Sequence, residues 1–278
     1  MRNVLFVCAG NTCRSPLCEA LGNKLLPSFS FSSRALSGFS GDDASEGSKN
    51  AAARHSLDLS KHKSKALTLE DIEAADEIIC MTNEQRGILS ALLGRFSIKK
   101  DIAVLGRGIP DPYMGDSEIY ENCYNEIKAA LISHFFGVSL SEMTKDDIPS
   151  IYPIETASFS TPWTKEGFSE FLENENNFGL TLKKDGEVVG YITGNCVLGE
   201  AEIYNVAVRE DEKRKGFGRL LLLEFLDRTS AENTVLEVRK SNMAAITLYE
   251  KLGFKPIGER KNFYQNPRED ALIYKKER

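Results

Sequence analysis

No stretch of this 278-residue sequence approaches the length of a membrane-spanning segment, which takes about 20 consecutive apolar residues. The opening apolar run Val4-Leu5-Phe6-Val7 is too short and too soon interrupted to read as a signal peptide. Cysteine is scarce. Its six positions, Cys8, Cys13, Cys18, Cys80, Cys123 and Cys196, follow no metal-ligand spacing and are too sparse for a disulfide scaffold, so a reducing cytoplasm is the expected compartment. Positive charge is not in surplus either, with 35 Lys and Arg against 41 Asp and Glu and a formal net charge of -6. Up to Gly137 there are 15 basic and 17 acidic residues, and 20 and 24 after it. Nucleic acid is therefore not an expected partner of either half, and neither is a membrane. Of three histidines, His55 and His62 sit near one another, but no acidic or thiol cluster accompanies them, so loop packing is expected and no metal.

What remains is the composition of a soluble globular protein, 41% hydrophobic and 27% charged, long enough for two cores. Helix signals end at Phe135-Phe136-Gly137 and a new pattern begins near Ser141. Two domains are expected, 1–137 and 138–278.

The first carries its chemistry at the start. After the buried-strand run Val4–Val7 comes Cys8-Ala9-Gly10-Asn11-Thr12-Cys13-Arg14-Ser15-Pro16, which reads as a tight loop running straight into a helix. Successive backbone N–H groups on such a loop can converge on a tetrahedral oxyanion, the helix dipole adds positive potential, and Arg14 can clamp two oxygens. The same field makes a sulfur at Cys8 a nucleophile. Gly10 permits the backbone geometry, and Pro16 suits a first helical turn.

Farther on, Leu17, Ala20, Leu21 and Leu25 have helical spacing, which places Cys18 and Glu19 on other faces. Phe29–Leu36 reads as a second strand, followed by a Ser-, Gly- and Asp-rich loop to about residue 48. Helices are expected at Leu69–Ala75, after Thr82, and over Glu118–Phe136 with Ile119, Cys123, Ile127, Ala130 and Leu131 inward; Glu77–Met81 reads as a strand. The alternation predicts a doubly wound parallel sheet with its site at the carboxyl ends of the strands. A second chemical element is Pro110-Asp111-Pro112-Tyr113, where two prolines fix a loop presenting a carboxylic acid.

Together, residues 4–16 and 110–113 resemble the phosphate loop and acid loop of the low-molecular-weight protein tyrosine phosphatases and their arginine phosphatase relatives. The resemblance implies that Cys8 is the nucleophile, Arg14 the phosphate clamp, and Asp111 the acid and later the base, with Ala9, Gly10, Asn11, Thr12, Cys13, Arg14 and Ser15 forming the phosphate cradle. Asn11 and Ser15 match positions that hold the loop and the sulfur. It further implies that Thr12, where tyrosine-directed members carry an aliphatic residue, favours phosphoarginine on a protein. Tyr113, an aromatic wall, favours phosphotyrosine. A non-catalytic phosphate-sensing module is the third reading, against which stands the intact Cys8, Arg14 and Asp111 set. Cys13 is a candidate redox partner of Cys8.

In the second half, Asp146–Phe159 reads as a helix interrupted at Pro153, and strands Gly179–Leu182 and Val188–Ile192 flank Asp185-Gly186, a hairpin turn signal. A strand Glu202–Val208 precedes Lys213-Arg214-Lys215-Gly216-Phe217-Gly218-Arg219 and a helix from Leu220; glycines with cations at a helix start suit a diphosphate. Then follow Val235-Leu236-Glu237-Val238-Arg239, Ser241-Asn242 and Ala244–Phe254. This order of motifs resembles the GNAT acetyltransferases, and within them the ribosomal-protein-alanine N-acetyltransferases (the RimI group). The resemblance implies a mixed α/β domain that uses acetyl-CoA to acetylate the N-terminus of a ribosomal protein. Glu237 would be the base and Tyr249 the acid. The pantetheine arm would pair with Val206, Ala207 and Val208, the pyrophosphate would sit on Arg214, Lys215, Gly216, Phe217, Gly218 and Arg219, and Asn242 would lie near the thiol. Lys213 departs from the Gln or Arg usual there. The whole chain is thus expected to be a two-domain α/β bifunctional enzyme.

Overall fold

The computed structural model describes residues 1–38 and 40–278, which form two compact units, Met1–Gly137 and Val138–Arg278. The first runs β1 (Arg2–Cys8), α1 (Arg14–Leu25), β2 (Phe29–Ala35), α2 (Glu46–Arg54), α3 (Leu69–Ala74), β3 (Glu77–Cys80), α4 (Asn83–Arg95), β4 (Ile102–Val104) and α5 (Ser117–Phe136). Its four strands are all parallel in the order β2-β1-β3-β4. A central parallel strand is covered on both faces, which is why Val4 to Val7 are all apolar and buried. Leu5 and Val7 point into a core with Ile72, Ile78, Leu89 and Leu93. Phe6 faces the other way and stacks on Phe31, which meets Phe135 of α5 edge-on. From β1 the chain steps to β2 on one side and returns across it to β3 on the other, so the carboxyl end of β1, at Cys8, is the switch point of the sheet.

The structure adds to and departs from the sequence reading of this unit. Residues 46–54 are helical, capped by Ser45 and burying Ala51 and Ala52, although three alanines among polar residues give little periodic signal. The short strand β4 was hidden in a three-residue run. Cys18, on another face of α1 from Leu17 and Leu21, is fully buried against Met81 sulfur at 3.6 Å, because α1 is packed by α5 as well as by the sheet. Conversely Ile119 is 47% exposed, and Tyr120 and Tyr124 fill the inward positions of α5.

The second unit runs β5 (Ser139–Glu142), α6 (Ile148–Ser158), α7 (Lys165–Phe171), β6 (Asn177–Lys184), β7 (Glu187–Val197), β8 (Glu200–Val208), α8 (Phe217–Thr229), β9 (Asn233–Arg239), α9 (Met243–Lys251), β10 (Lys255–Gln265) and β11 (Arg268–Glu277). One mixed sheet results, ordered β10-β11-β9-β8-β7-β6-β5, with β8 and β9 parallel and the other neighbours antiparallel. Asp185 and Gly186 both have positive φ, 51° and 85°, as a two-residue type I′ hairpin requires. Pro153 does not interrupt α6 but sits inside it. The lost amide bond and ring clash cost about 3 kcal/mol, and burial of Ile148, Ile151 and Ile154 on one side of the same helix offsets that at roughly 1.5–3 kcal/mol per side chain. Helix α7, capped by Thr164, was not expected.

Candidate active sites of the two units

In the N-terminal unit Cys8 ends β1, and residues 9–13 carry the chain to α1. The loop's carbonyls are held from outside: Cys8 O accepts from Leu36 N at 2.8 Å, Ala9 O from Ser37 N at 3.1 Å, Thr12 O from Ser45 N at 2.9 Å, and Cys13 O from Ser48 Oγ at 3.3 Å. Asn11 O meets His62 Nε2 at 2.8 Å. In a trans peptide the N–H points opposite to the carbonyl. The N–H groups of Ala9, Gly10, Thr12, Cys13 and Arg14 are thereby turned to the inner side of the loop, where they meet the uncapped start of α1. Backbone N–H groups so placed have the chemistry an oxyanion cradle needs.

Asn11 is its keystone. Fully buried and in the left-handed region at φ 54°, it donates from Nδ2 to Ser15 Oγ at 2.9 Å and Ser33 Oγ at 2.8 Å and accepts Lys65 N at 2.9 Å. Its own N–H donates to Cys8 Sγ at 3.3 Å, and Ser15 Oγ lies 3.0 Å from the same sulfur. Two polar groups therefore converge on Cys8. The other buried thiols of this region are different: burial raises Cys18 well above the ordinary thiol range and pushes Cys80 and Cys123 up to about 12, so these three stay neutral packing groups.

Arg14 is 3% exposed. Its Nη1 donates to Ile109 O at 3.1 Å and its Nη2 forms an ion pair with Asp111 Oδ2. Nε is buried without a hydrogen-bond partner, a cost of about 1–3 kcal/mol that an oxyanion in the cradle relieves. Asp111 remains 47% exposed, reached through a loop pinned by Ile109 N to Met81 O at 2.7 Å. Cys8, residues 9–15 and Asp111 are thus brought together. Thr12 is half-buried, with Oγ1 3.7 Å from Cys13 Sγ, and Tyr113, whose N–H donates to Asp111 Oδ1 at 3.3 Å, is 67% exposed.

The supporting residues His62, Ser33, Ser45 and Ser48 were not legible as site residues, since each lies 22 or more positions from the loop atom it holds. His55 pairs with Glu121 at 2.5 Å and stacks on Tyr124 at 3.8 Å. Among the described residues no group of His, Cys, Asp and Glu could hold a metal ion.

In the C-terminal unit β8 pairs with β7 as far as Val208, but with β9 only over Glu200–Ile203. A register shift opposite Thr193 and Gly194 bends the strand there. Beyond it, Asn205, Val206, Ala207 and Val208 have no strand partner on the β9 side among the described residues. At the far end of this opening the chain turns through Arg214 (φ 63°) and Gly216 (φ 87°) into α8, whose start has no side-chain cap. An open strand edge leading to an uncapped helix start fits an extended chain that ends in a diphosphate. Lys215 and Lys213 are tied to Glu212 and Glu210 at 2.8 and 2.5 Å.

Glu237 is the first residue of β9 past its pairing with β8. Burial raises its carboxyl above the ordinary range, with the Arg260 guanidinium at 3.0 Å opposing and Glu202 adding to the rise. Tyr249 on α9 is 6% exposed against Phe254, and burial raises its phenol, keeping it protonated. No hydrogen bond joins Glu237 to Tyr249 among the described residues, but Tyr264 lies within electrostatic range of both. Asn242 caps α9, accepting Ala245 N at 3.2 Å.

Over residues 3–146 the sequence matches the family of low molecular weight phosphotyrosine protein phosphatases, and over 148–254 the acetyltransferase (GNAT) family. It is 36% identical over 140 residues to the ribosomal protein bS18-alanine N-acetyltransferase of Escherichia coli, covering 49% of this chain and 94% of that one. The chain belongs to both families. The phosphatase unit is similar in structure to the YwlE arginine phosphatase of Geobacillus stearothermophilus, with 30% identity, 47% of this chain and 88% of that chain covered, and a TM-score of 0.43. The acetyltransferase unit is also 30% identical over 147 residues to the N-alpha-acetyltransferase RimI of Mycobacterium tuberculosis, covering 50% of this chain and 92% of that protein. Both units are members of enzyme families, and GNAT acetyltransferases use acetyl-CoA.

Proposed function

We propose that the phosphatase unit hydrolyses phosphoarginine on proteins through Cys8. The observation that carries this reading is the convergence of Asn11 N and Ser15 Oγ on Cys8 Sγ, in a loop whose carbonyls are bonded by other segments. The sulfur attacks phosphorus while the bond to the guanidine nitrogen breaks, and Asp111 gives that nitrogen its proton. Arg14 and the cradle balance the charge that builds on the phosphoryl oxygens. In the second half-reaction Asp111 takes a proton from water, which attacks phosphorus and releases Cys8. Thr12 supplies a hydroxyl suited to a polar guanidine. The second reading, phosphotyrosine, is favoured by one observation, the exposed ring of Tyr113 beside Asp111.

Assays of wild type, Cys8→Ser and Thr12→Ile on phosphoarginine and phosphotyrosine peptides test this. Cys8→Ser abolishes phosphate release from both. Thr12→Ile lowers turnover of phosphoarginine about tenfold more than that of phosphotyrosine, a difference of ~1.4 kcal/mol of the size one polar contact supplies. Equal loss on both substrates overturns the assignment to arginine.

For the acetyltransferase unit the proposed reaction is acetylation of the N-terminal alanine of a ribosomal protein in a cytoplasmic setting. Acetyl-CoA, when bound, supplies an activated thioester. Val206, Ala207 and Val208 offer it a free backbone edge, and the turn Arg214–Arg219 offers its diphosphate the start of α8, with Asn242 near the thiol end. Glu237 would take one proton of the acceptor ammonium, a task helped by a carboxyl whose affinity for protons is raised, the freed amine would bond to the acetyl carbon as the carbon–sulfur bond breaks, and the Tyr249 hydroxyl would protonate the departing sulfur and recover a proton from the acylated nitrogen.

A further inference from the structure

Arg239 lies two residues beyond Glu237 on β9, on the same face of the strand. Its guanidinium touches two separate segments. Toward the segment 159–164 between α6 and α7, Nη2 donates to Ser160 Oγ at 2.7 Å. Toward the β10–β11 hairpin, Nη2 donates to Asn266 O at 2.8 Å and Nη1 to Pro267 O at 3.1 Å, the ion pair with Glu269 closes at 3.3 Å, and the guanidinium sits 4.1 Å from the centre of the Tyr264 ring. Glu269 is itself fixed by Ser241 N at 2.6 Å.

The segment 159–164 is held at its other end by a second polar anchor. Glu155, fully buried, accepts Trp163 N at 2.8 Å, Asn205 Nδ2 at 3.1 Å and the Tyr191 hydroxyl. This ties the segment to β7 and to the open stretch of β8. A buried carboxylate with three donors is rigid, whereas the Ser160 end combines the packing of Phe159 on the core with one side-chain hydrogen bond, the one from Arg239.

We propose that Arg239 is a positioning residue for the acceptor. It joins the 159–164 segment and the β10–β11 hairpin into one rim beside Glu237, so that the amine of a protein N-terminus is presented to the carboxylate by two segments that move as one. The inference rests on the acetyltransferase reading of this unit. A planar fork with five N–H donors is needed for this set of partners, and lysine offers a single point charge.

The test uses the full chain with Arg239→Ala, Arg239→Lys and Ser160→Ala, a peptide with N-terminal alanine, and acetyl-CoA. In Arg239→Ala the KM for the peptide rises at least tenfold while the KM for acetyl-CoA stays within twofold. Arg239→Lys recovers less than a third of the loss, and Ser160→Ala, which leaves the hairpin contacts intact, raises the peptide KM about threefold. Hydrogen exchange of residues 159–164 and 262–267 speeds up together in Arg239→Ala. An unchanged peptide KM, full rescue by lysine, or exchange that changes in only one segment overturns the proposal. If the wild type binds acetyl-CoA yet acetylates no peptide, the acetyltransferase reading is what fails, and the paired exchange still decides whether Arg239 joins the two segments.

Discussion

Replacing Asn11 by alanine removes three side-chain hydrogen bonds, to Ser15, Ser33 and Lys65 N, worth about 1 kcal/mol each net. It also places a Cβ-bearing residue without a compensating polar group at φ 54°, which costs roughly 1 kcal/mol more. The total is about 4 kcal/mol, and for a unit of this size ~4 °C of melting temperature follows each kcal/mol. The transition of the phosphatase unit in the full chain is thus expected to fall by roughly 15 °C. Phosphate release falls with it, because Ser15 loses the partner that orients its hydroxyl toward Cys8. Asn11→Gly separates the two contributions. It loses the same bonds but accepts positive φ freely, so its transition lies about 4 °C above that of Asn11→Ala. Thermal unfolding and steady-state turnover of both variants are the assay. An Asn11→Ala protein that melts within about 3 °C of wild type with unchanged turnover refutes the keystone role. Identical melting of the two variants refutes the part assigned to the left-handed backbone.

The acid limb of the acetylation pH profile reports Glu237: with its carboxyl raised by burial, the ionised base is lost at a higher pH than an ordinary glutamate. The rate therefore climbs with pH above the usual carboxylate range, Glu237→Gln abolishes that limb, and Arg260→Ala moves it to higher pH by removing the opposing charge. A limb that persists in Glu237→Gln assigns the titration elsewhere. In the phosphatase unit a Cβ at Gly47 would meet the Tyr120 ring at 2.3 Å, and Tyr120 supports Cys13 of the loop at 3.8 Å. Gly47→Ala is expected to cost about 1–3 kcal/mol, read by thermal unfolding, and to slow phosphate release as well. Unchanged stability would mean that α2 shifts without strain.

What the sequence made legible were features written in adjacent residues. The apolar run before Cys8, the glycine and Ser-Pro that turn it into a helix, the Asp-Pro pair at Asp111 and the Asp-Gly turn each combine a local conformational rule with a residue type. Elements without such a rule were missed: α2 has an alanine-rich polar sequence, β4 has three residues, and Pro153 obeys packing over its own preference. Burial from a second direction hid the role of Cys18, and at Ile119 an apolar residue at helical spacing faces solvent while Tyr120 turns inward. The same division runs through the sites. Cys8, Arg14, Asp111, Glu237 and Tyr249 stand in motifs, whereas His62, Ser45, Glu155 and Arg239 each act through at least one partner between 32 and 79 positions away, a distance that only the folded chain closes.

Unpaired strand edges are usually a hazard, since they template association with other sheets. The free edge of β8 is of another kind, because it lies inside a seven-stranded sheet, between β7 and the diverging β9. The divergence leaves the short stretch Asn205–Val208 without a strand neighbour on that side among the described residues, less than the length of a usual strand of about 5–6 residues. It also lets the unit keep backbone groups available for binding without becoming prone to edge-to-edge aggregation.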